Sequence, residues 1–142
     1  MTQITLAVSG SISAYKAADI TSRLKKENFE VGVLMTNAAT EFITPLTLQV
    51  LSQRPVAIDI MQEPNPSKVN HIDIAKESDL FLLAPATANT IAKLANGLAD
   101  NMVTATALAL QPHTKKVLAP AMNTKMFENP LTQQNLERLQ RF

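Results

Sequence analysis

Leu80-Phe81-Leu82-Leu83-Ala84-Pro85-Ala86-Thr87-Ala88-Asn89-Thr90 changes character midway, from an unbroken apolar run to a cluster of small polar side chains. The apolar half has the composition of a strand buried on both faces. Pro85 has no N–H to give to a ladder, so the strand is expected to stop there and the chain to turn. Ile91-Ala92-Lys93-Leu94-Ala95 then carries helical spacing, and Asn96-Gly97 is a good C-cap. Thr87, Asn89 and Thr90 therefore stand at a helix start. There the first N–H groups lack intrahelical partners and the dipole is positive. Two readings stay open: ordinary N-capping by Thr and Asn, or an anion cup built from hydroxyls and free N–H groups.

The same alternation extends in both directions. Ile4 to Val8 reads as a first strand broken at Ser9-Gly10-Ser11, followed by a helix from Ser13 to Glu27. A Ser/Gly loop lets backbone N–H groups approach a phosphate or a flat ring closely. Glu30 to Met35 is a second strand ending at Thr36-Asn37, and Ala38 to Ile43 a short helix. Pro45 begins another helix, and Val56-Ala57-Ile58 is a brief third strand. Met61 to Lys68, with Pro64 and Pro66, is loop; Asn70 to Ala75 is a short helix leading into the apolar run at 80–84. Beyond it, Asn101 to Leu110 is an apolar helix and Lys116 to Ala119 a fifth strand stopped by Pro120. Pro130 to Arg141 is an amphipathic helix with Leu131, Leu136 and Leu139 inward.

Strands alternating with helices at this spacing define an α/β fold: a three-layer, Rossmann-like (flavodoxin-like) parallel sheet with helices on both faces. Ligands of such sheets bind beyond the carboxyl ends of the strands. Ser9-Gly10-Ser11, Thr36, Thr87 to Thr90 and Ala121-Met122-Asn123 all fall at that edge. Four polar strand ends converging on one crevice say more than any one of them.

Composition narrows the function. The 142 residues suit one domain, and a net charge of +1 gives no reason to expect a nucleic-acid or membrane partner. With no cysteine there is no thiolate metal site or disulfide, which fits a cytoplasmic location. Three glycines, at 10, 32 and 97, exclude a dinucleotide fingerprint. Of the two histidines, His113 sits in a surface turn and has no role. His71 is either a helix-start histidine with a satisfied hydrogen bond or a general base, since imidazole titrates near neutrality. Pro120-Ala121-Met122-Asn123-Thr124-Lys125-Met126-Phe127 is either core packing or a set of apolar contacts around a flat ligand, the Asn123 amide donating to a carboxylate. Tyr15 and Phe42 allow the same two readings.

Four of these segments resemble one family in order. Pro-Ala-Thr-Ala-Asn-Thr at 85–90 resembles the Pro-Ala-Ser-Ala-Asn-Thr motif of the homo-oligomeric flavin-containing cysteine decarboxylases. Pro120 to Phe127 resembles their Pro-x-Met-Asn-x-x-Met-Trp motif, and Asn70-His71-Ile72 their active-site histidine segment. Gly10-Ser11-Ile12-Ser13-Ala14-Tyr15-Lys16 resembles the flavin loop of the branch that decarboxylates 4′-phosphopantothenoylcysteine in coenzyme A synthesis. The resemblance implies FMN as cofactor, its phosphate in the cup at Thr87–Thr90 with help from Ser9, Ser11 and Thr36. Gly10, Ile12, Pro85, Ala86, Ala88, Asn89 and Met122 complete the implied cofactor-binding set. His71 and Asn123 are the implied catalytic pair, one a base at the substrate cysteine and the other a holder of its carboxylate. No metal is implied. The flavin ring is expected between subunits, so a homo-oligomer is expected: a trimer or a multiple of trimers such as a dodecamer.

The departures are informative. Thr87 replaces Ser and keeps the hydroxyl; Phe127 replaces Trp and keeps an apolar ring. The coenzyme A branch carries a C-terminal clamp whose cysteine donates a proton, and that clamp is missing from the single domain at 1–142. Either the chain is a shortened form, or the reaction halts at an enethiol, as in relatives that decarboxylate C-terminal cysteines of peptides. The Ala14-Tyr15-Lys16 segment favours the first. A non-catalytic flavin-binding regulatory subunit is the remaining alternative, and the presence of both His71 and Asn123 speaks against it.

Overall fold

The computed structural model describes residues 2–142. Its strands are β1 (Gln3–Val8), β2 (Glu30–Met35), β3 (Leu80–Ala86) and β4 (Lys115–Pro120), all parallel, in the spatial order β2-β1-β3-β4. Seven α-helices flank this sheet among the described residues: α1 (Lys16–Lys26), α2 (Pro45–Ser52), α3 (Asn70–Glu77), α4 (Ala88–Ala95), α5 (Met102–Leu108), α6 (Thr124–Glu128) and α7 (Pro130–Arg141). Successive strand residues point to opposite faces, so the buried strands feed two cores. Leu6, Val8, Val31, Val33 and Met35 pack with Ala17 of α1 and Leu48 of α2 on one side. Ala7, Leu34, Phe81 and Leu83 pack with Ile91 of α4 and Met102 and Val103 of α5 on the other, where Leu136 and Leu139 of α7 join them. The α/β, three-layer expectation is met.

The chain leaves β1 for β2 on one side and later returns to β3 on the other side of β1. A crevice opens where the connections diverge, at the carboxyl ends of β1 and β3. Its floor is stitched across that pair. Ser9, fully buried, donates its hydroxyl to the Pro85 carbonyl and accepts from the Thr87 N–H at 3.0 Å.

Several expected boundaries move. β3 does not stop at Pro85 but continues to Ala86, and its register with β4 shifts between Leu83 and Ala86, so the proline falls where no regular ladder bond is required. The expected third strand reduces to one bridge, Ala57 against Leu34, held by bonds of 3.0 and 3.1 Å to Met35 and Val33. The helix expected from Ser13 begins as a 3-10 turn (Ile12–Tyr15) before α1, and that at 38–43 is a 3-10 turn at Ala38–Glu41. Asn101 caps α5 rather than entering it, in a reciprocal capping box with Thr104, and the helix ends at Leu108. The C-cap expected at Asn96-Gly97 is a Schellman turn: Leu98 N–H donates to Lys93 O and Gly97, at φ +71, to Leu94 O. Leu131 is 70% exposed instead of inward, because the inner face of α7 is set by Leu136 and Leu139.

Candidate functional site

Four strand ends meet in one cleft of about 610 Å³. Gly10 and Ser11 come from the end of β1, and Thr36, Asn37 and Ala38 from the end of β2. Thr87, Ala88, Asn89 and Thr90 follow β3, and Ala121 and Met122 follow β4; Met126 of α6 and Lys93, Asp100 and Asn101 complete the wall. A volume of this order suits a cofactor-sized ligand.

Each strand end is locally determined. Thr87 sits in extended backbone as the N-cap of α4, its hydroxyl accepting from Thr90 N–H at 3.2 Å. Thr87 N–H goes to Ser9, which leaves those of Ala88 and Asn89 without an intrahelical acceptor. Thr36, buried, accepts from Ala39 N–H at 3.1 Å and so holds the 3-10 turn against the cleft. Ser11 accepts from Ser13 N–H at 3.3 Å and closes the first loop. Gly10 is required by close approach: a Cβ there would lie 2.5 Å from Ala38 Cβ and 2.9 Å from its carbonyl carbon.

The cleft carries little net charge. Lys93 Nζ is held by Asp100 Oδ2 at 2.8 Å, and that hydrogen bond from the ammonium keeps the Asp100 carboxyl below the ordinary 3.8. Attraction for an anion therefore rests on backbone N–H groups, hydroxyls and the positive end of α4. Met122, Met126 and Ala121 add an apolar, polarisable part to the lining.

Of the residues singled out in the sequence, Gly10, Ser11, Thr36, Thr87, Ala88, Asn89, Thr90 and Met122 line this one cleft. Ser9, Pro85 and Ala86 are buried and absent from its lining, and Ile12, 82% exposed, is also absent from it. His71 and Asn123 do not line it within one chain. His71 is in the first turn of α3, its Nδ1 buried without a hydrogen-bond partner. Asn123 is the exposed N-cap of α6; its Oδ1 accepts from Lys125 N–H at 2.9 Å, leaving its NH₂ free to donate. Lys93, Asp100 and Asn101 were not among the expected cofactor residues; the Asn101-x-x-Thr104 capping pattern was the available signal. A larger cleft, about 870 Å³, lies between β4, α5 and α7. It is mainly apolar and, although Pro120 and Phe127 line it, contains none of the residues expected to be catalytic or to bind the cofactor. Among the described residues no group of three or more His, Asp or Glu could hold a metal ion.

Fold and cleft together define an α/β protein with a donor-rich, cofactor-sized crevice at the carboxyl ends of a parallel sheet. More narrowly, the chain belongs to the Flavoprotein family, whose model matches residues 1–142. It is 61% identical over 140 residues to a protein of Streptococcus mutans named probable phosphopantothenoylcysteine decarboxylase, covering 99% of this chain and 78% of that one. It is 46% identical over 139 residues to the coenzyme A biosynthesis bifunctional protein CoaBC of Vibrio vulnificus, covering 98% of this chain but 34% of that protein. This chain thus spans about a third of the bifunctional relative's length. Among solved structures, the FMN-dependent cysteine decarboxylase SpaF superposes with a TM-score of 0.92 at 28% identity, over 99% of this chain and 80% of that one. The residues present fit a phosphorylated flavin: free N–H donors and hydroxyls line the cleft together with the thioether side chains of Met122 and Met126.

Proposed function

We propose that this protein decarboxylates 4′-phosphopantothenoylcysteine to 4′-phosphopantetheine in coenzyme A synthesis, with FMN as cofactor. The observation that carries this reading is the convergence of four strand ends, rich in neutral donors, on one cofactor-sized cleft. The likeness to the Streptococcus mutans protein points to the substrate. FMN bound here would supply a reversible acceptor for an electron pair from the substrate's cysteine, making loss of carbon dioxide easy without net oxidation.

The chain's own residues bind, orient and move protons. The N–H groups of Ala88 and Asn89 and the hydroxyls of Thr87, Thr90 and Ser11 hold the cofactor phosphate. Thr36 positions the turn at Ala38–Glu41 and Ser9 ties the β1 and β3 ends, so the donors are preorganised. Nδ1 of His71 faces the interior, which leaves Nε2 to accept the proton of the substrate cysteine. The free NH₂ of Asn123 donates to the substrate carboxylate until carbon dioxide leaves.

Because neither residue lines the cleft of its own chain, the working site is completed between protomers of a homo-oligomer, a trimer or a multiple of trimers. Ile12, Tyr15 and Phe42, at least 50% exposed beside the cleft's first two loops, supply apolar surface for that contact. No described helix is long and apolar enough to cross a membrane; the proposed location is cytoplasmic. A second reading, decarboxylation of a peptide's C-terminal cysteine, is favoured by the likeness to EpiD, 29% identical with a TM-score of 0.83 and solved with the substrate peptide DSYTC. The test is incubation of the FMN-loaded protein with each substrate, weighing the product. Loss of carbon dioxide from 4′-phosphopantothenoylcysteine supports the proposal; action on the peptide alone contradicts it.

A further inference from the structure

His71 owes its position to something other than its own hydrogen bonds. Its buried Nδ1 has no partner, so the ring is placed by the backbone of the first turn of α3. That turn is not capped in the usual way. The N-cap position is Val69, whose side chain cannot accept a hydrogen bond, and α3 has only eight residues with which to hold its start. The acceptor arrives from outside the helix. Oε2 of Glu63, seven residues upstream, takes the N–H of Asn70 at 2.7 Å. A carboxylate on an orphan N–H at the positive end of a helix makes a short, charge-assisted bond.

The loop that presents Glu63 is built to hold it there. Asp59 Oδ1 accepts from Met61 N–H at 2.8 Å just before it. Asn65 Oδ1 accepts from Ser67 N–H at 3.0 Å just after it, and Lys68 N–H closes onto Asn65 O at 3.1 Å. Pro64 and Pro66 remove backbone freedom between these turns. Lys68 also pairs with Asp73 of α3 at 3.6 Å. The segment from Asp59 to Lys68 is thus a strap fastened to the helix immediately before His71.

We propose that Glu63 is the positioning residue for His71, its carboxylate fixing the first turn of α3 so that the imidazole stands ready for the substrate proton. The proposal rests on the reading of His71 as the base. Glu63 is exposed and lies outside both cores, so its replacement leaves the fold intact. Glu63→Ala removes the acceptor; Glu63→Gln keeps a weaker one. In the FMN-loaded protein, Glu63→Ala should lower kcat about tenfold with KM changed less than about twofold, and Glu63→Gln should recover part of that loss. In the protein without cofactor or substrate, amide exchange at Asn70 should quicken in Glu63→Ala and stay near wild type in Glu63→Gln.

Unchanged kcat in Glu63→Ala, with Asn70 exchanging faster and His71→Asn inactive, would overturn this proposal alone, because Glu63 would then only cap a helix. Unchanged Asn70 exchange would overturn it by showing that the bond is not made. Full turnover by His71→Asn would remove the base itself, and this proposal with it.

Discussion

Ser9, Gly10 and His71 show how single side chains set the site. Ser9 is fully buried and its hydroxyl serves both the Pro85 carbonyl and the Thr87 N–H. Ser9→Ala leaves the Thr87 N–H without its acceptor in the floor of the cleft, while the Pro85 carbonyl keeps the bond from the backbone N–H of residue 9 at 3.3 Å. The change should cost about 1–3 kcal/mol, read from urea unfolding of the cofactor-free protein. Gly10→Ala drives a Cβ against Ala38, including its backbone, so neither partner can yield cheaply. Overpacking of this kind should cost about 1–3 kcal/mol by the same measurement and weaken FMN binding. His71→Asn removes a group that can take a proton while leaving the cleft untouched. It should keep FMN bound, seen by absorption, and release no carbon dioxide. The types and spacing of these residues were legible in the sequence, because a Ser/Gly loop and a Thr/Asn helix start have local causes. Glu63 was not legible as a cap, since it reaches the α3 N-terminus from seven residues away and matches no local capping pattern.

Elements whose limits are set locally came out near their expected bounds; those set by neighbours did not. α2 begins at Pro45 with Thr44 as its side-chain cap, as its residues dictate. Val56-Ala57-Ile58 has strand composition, yet its place beside β2 gives it one bridge, which only tertiary pairing decides. Pro85 reads as a stop, but a register shift lets it sit inside β3. Helix α6 is five residues long and rests on the Asn123 cap, too short for periodicity to reveal. At this scale the Lys93–Asp100 pair joins α4 to the approach of α5. Its hydrogen bond lowers the Asp100 carboxyl in the folded state, so the pair's contribution is complete above the ordinary 3.8 and is lost as pH falls through the lowered folded value. The difference in Tm between wild type and Asp100→Asn should therefore be present at pH 7 and vanish in strong acid. A difference that persists there would contradict the pairing.

The whole molecule is a rigid sheet that gathers remote loops at one rim, and this is why the cleft could be anticipated from strand ends alone. What the sequence could not show is which residues one chain fails to bring together. His71 and Asn123 stand outside the cleft within one chain, which is the observation behind the proposal of a site completed between subunits. Binding to the folded state alone raises stability by mass action, about 2.7 kcal/mol at a ligand concentration a hundredfold above Kd. Tm should climb with FMN concentration and much less with riboflavin, which lacks the phosphate proposed to sit at the α4 N-terminus.

Hydrogen–deuterium exchange of the protein with and without FMN tests the shared cleft most directly. Protection should rise together at residues 10–11, 36–38, 87–90 and 121–122, with the β4–α5–α7 cleft unchanged. Protection confined to that second cleft, or none at any FMN concentration, would contradict the account.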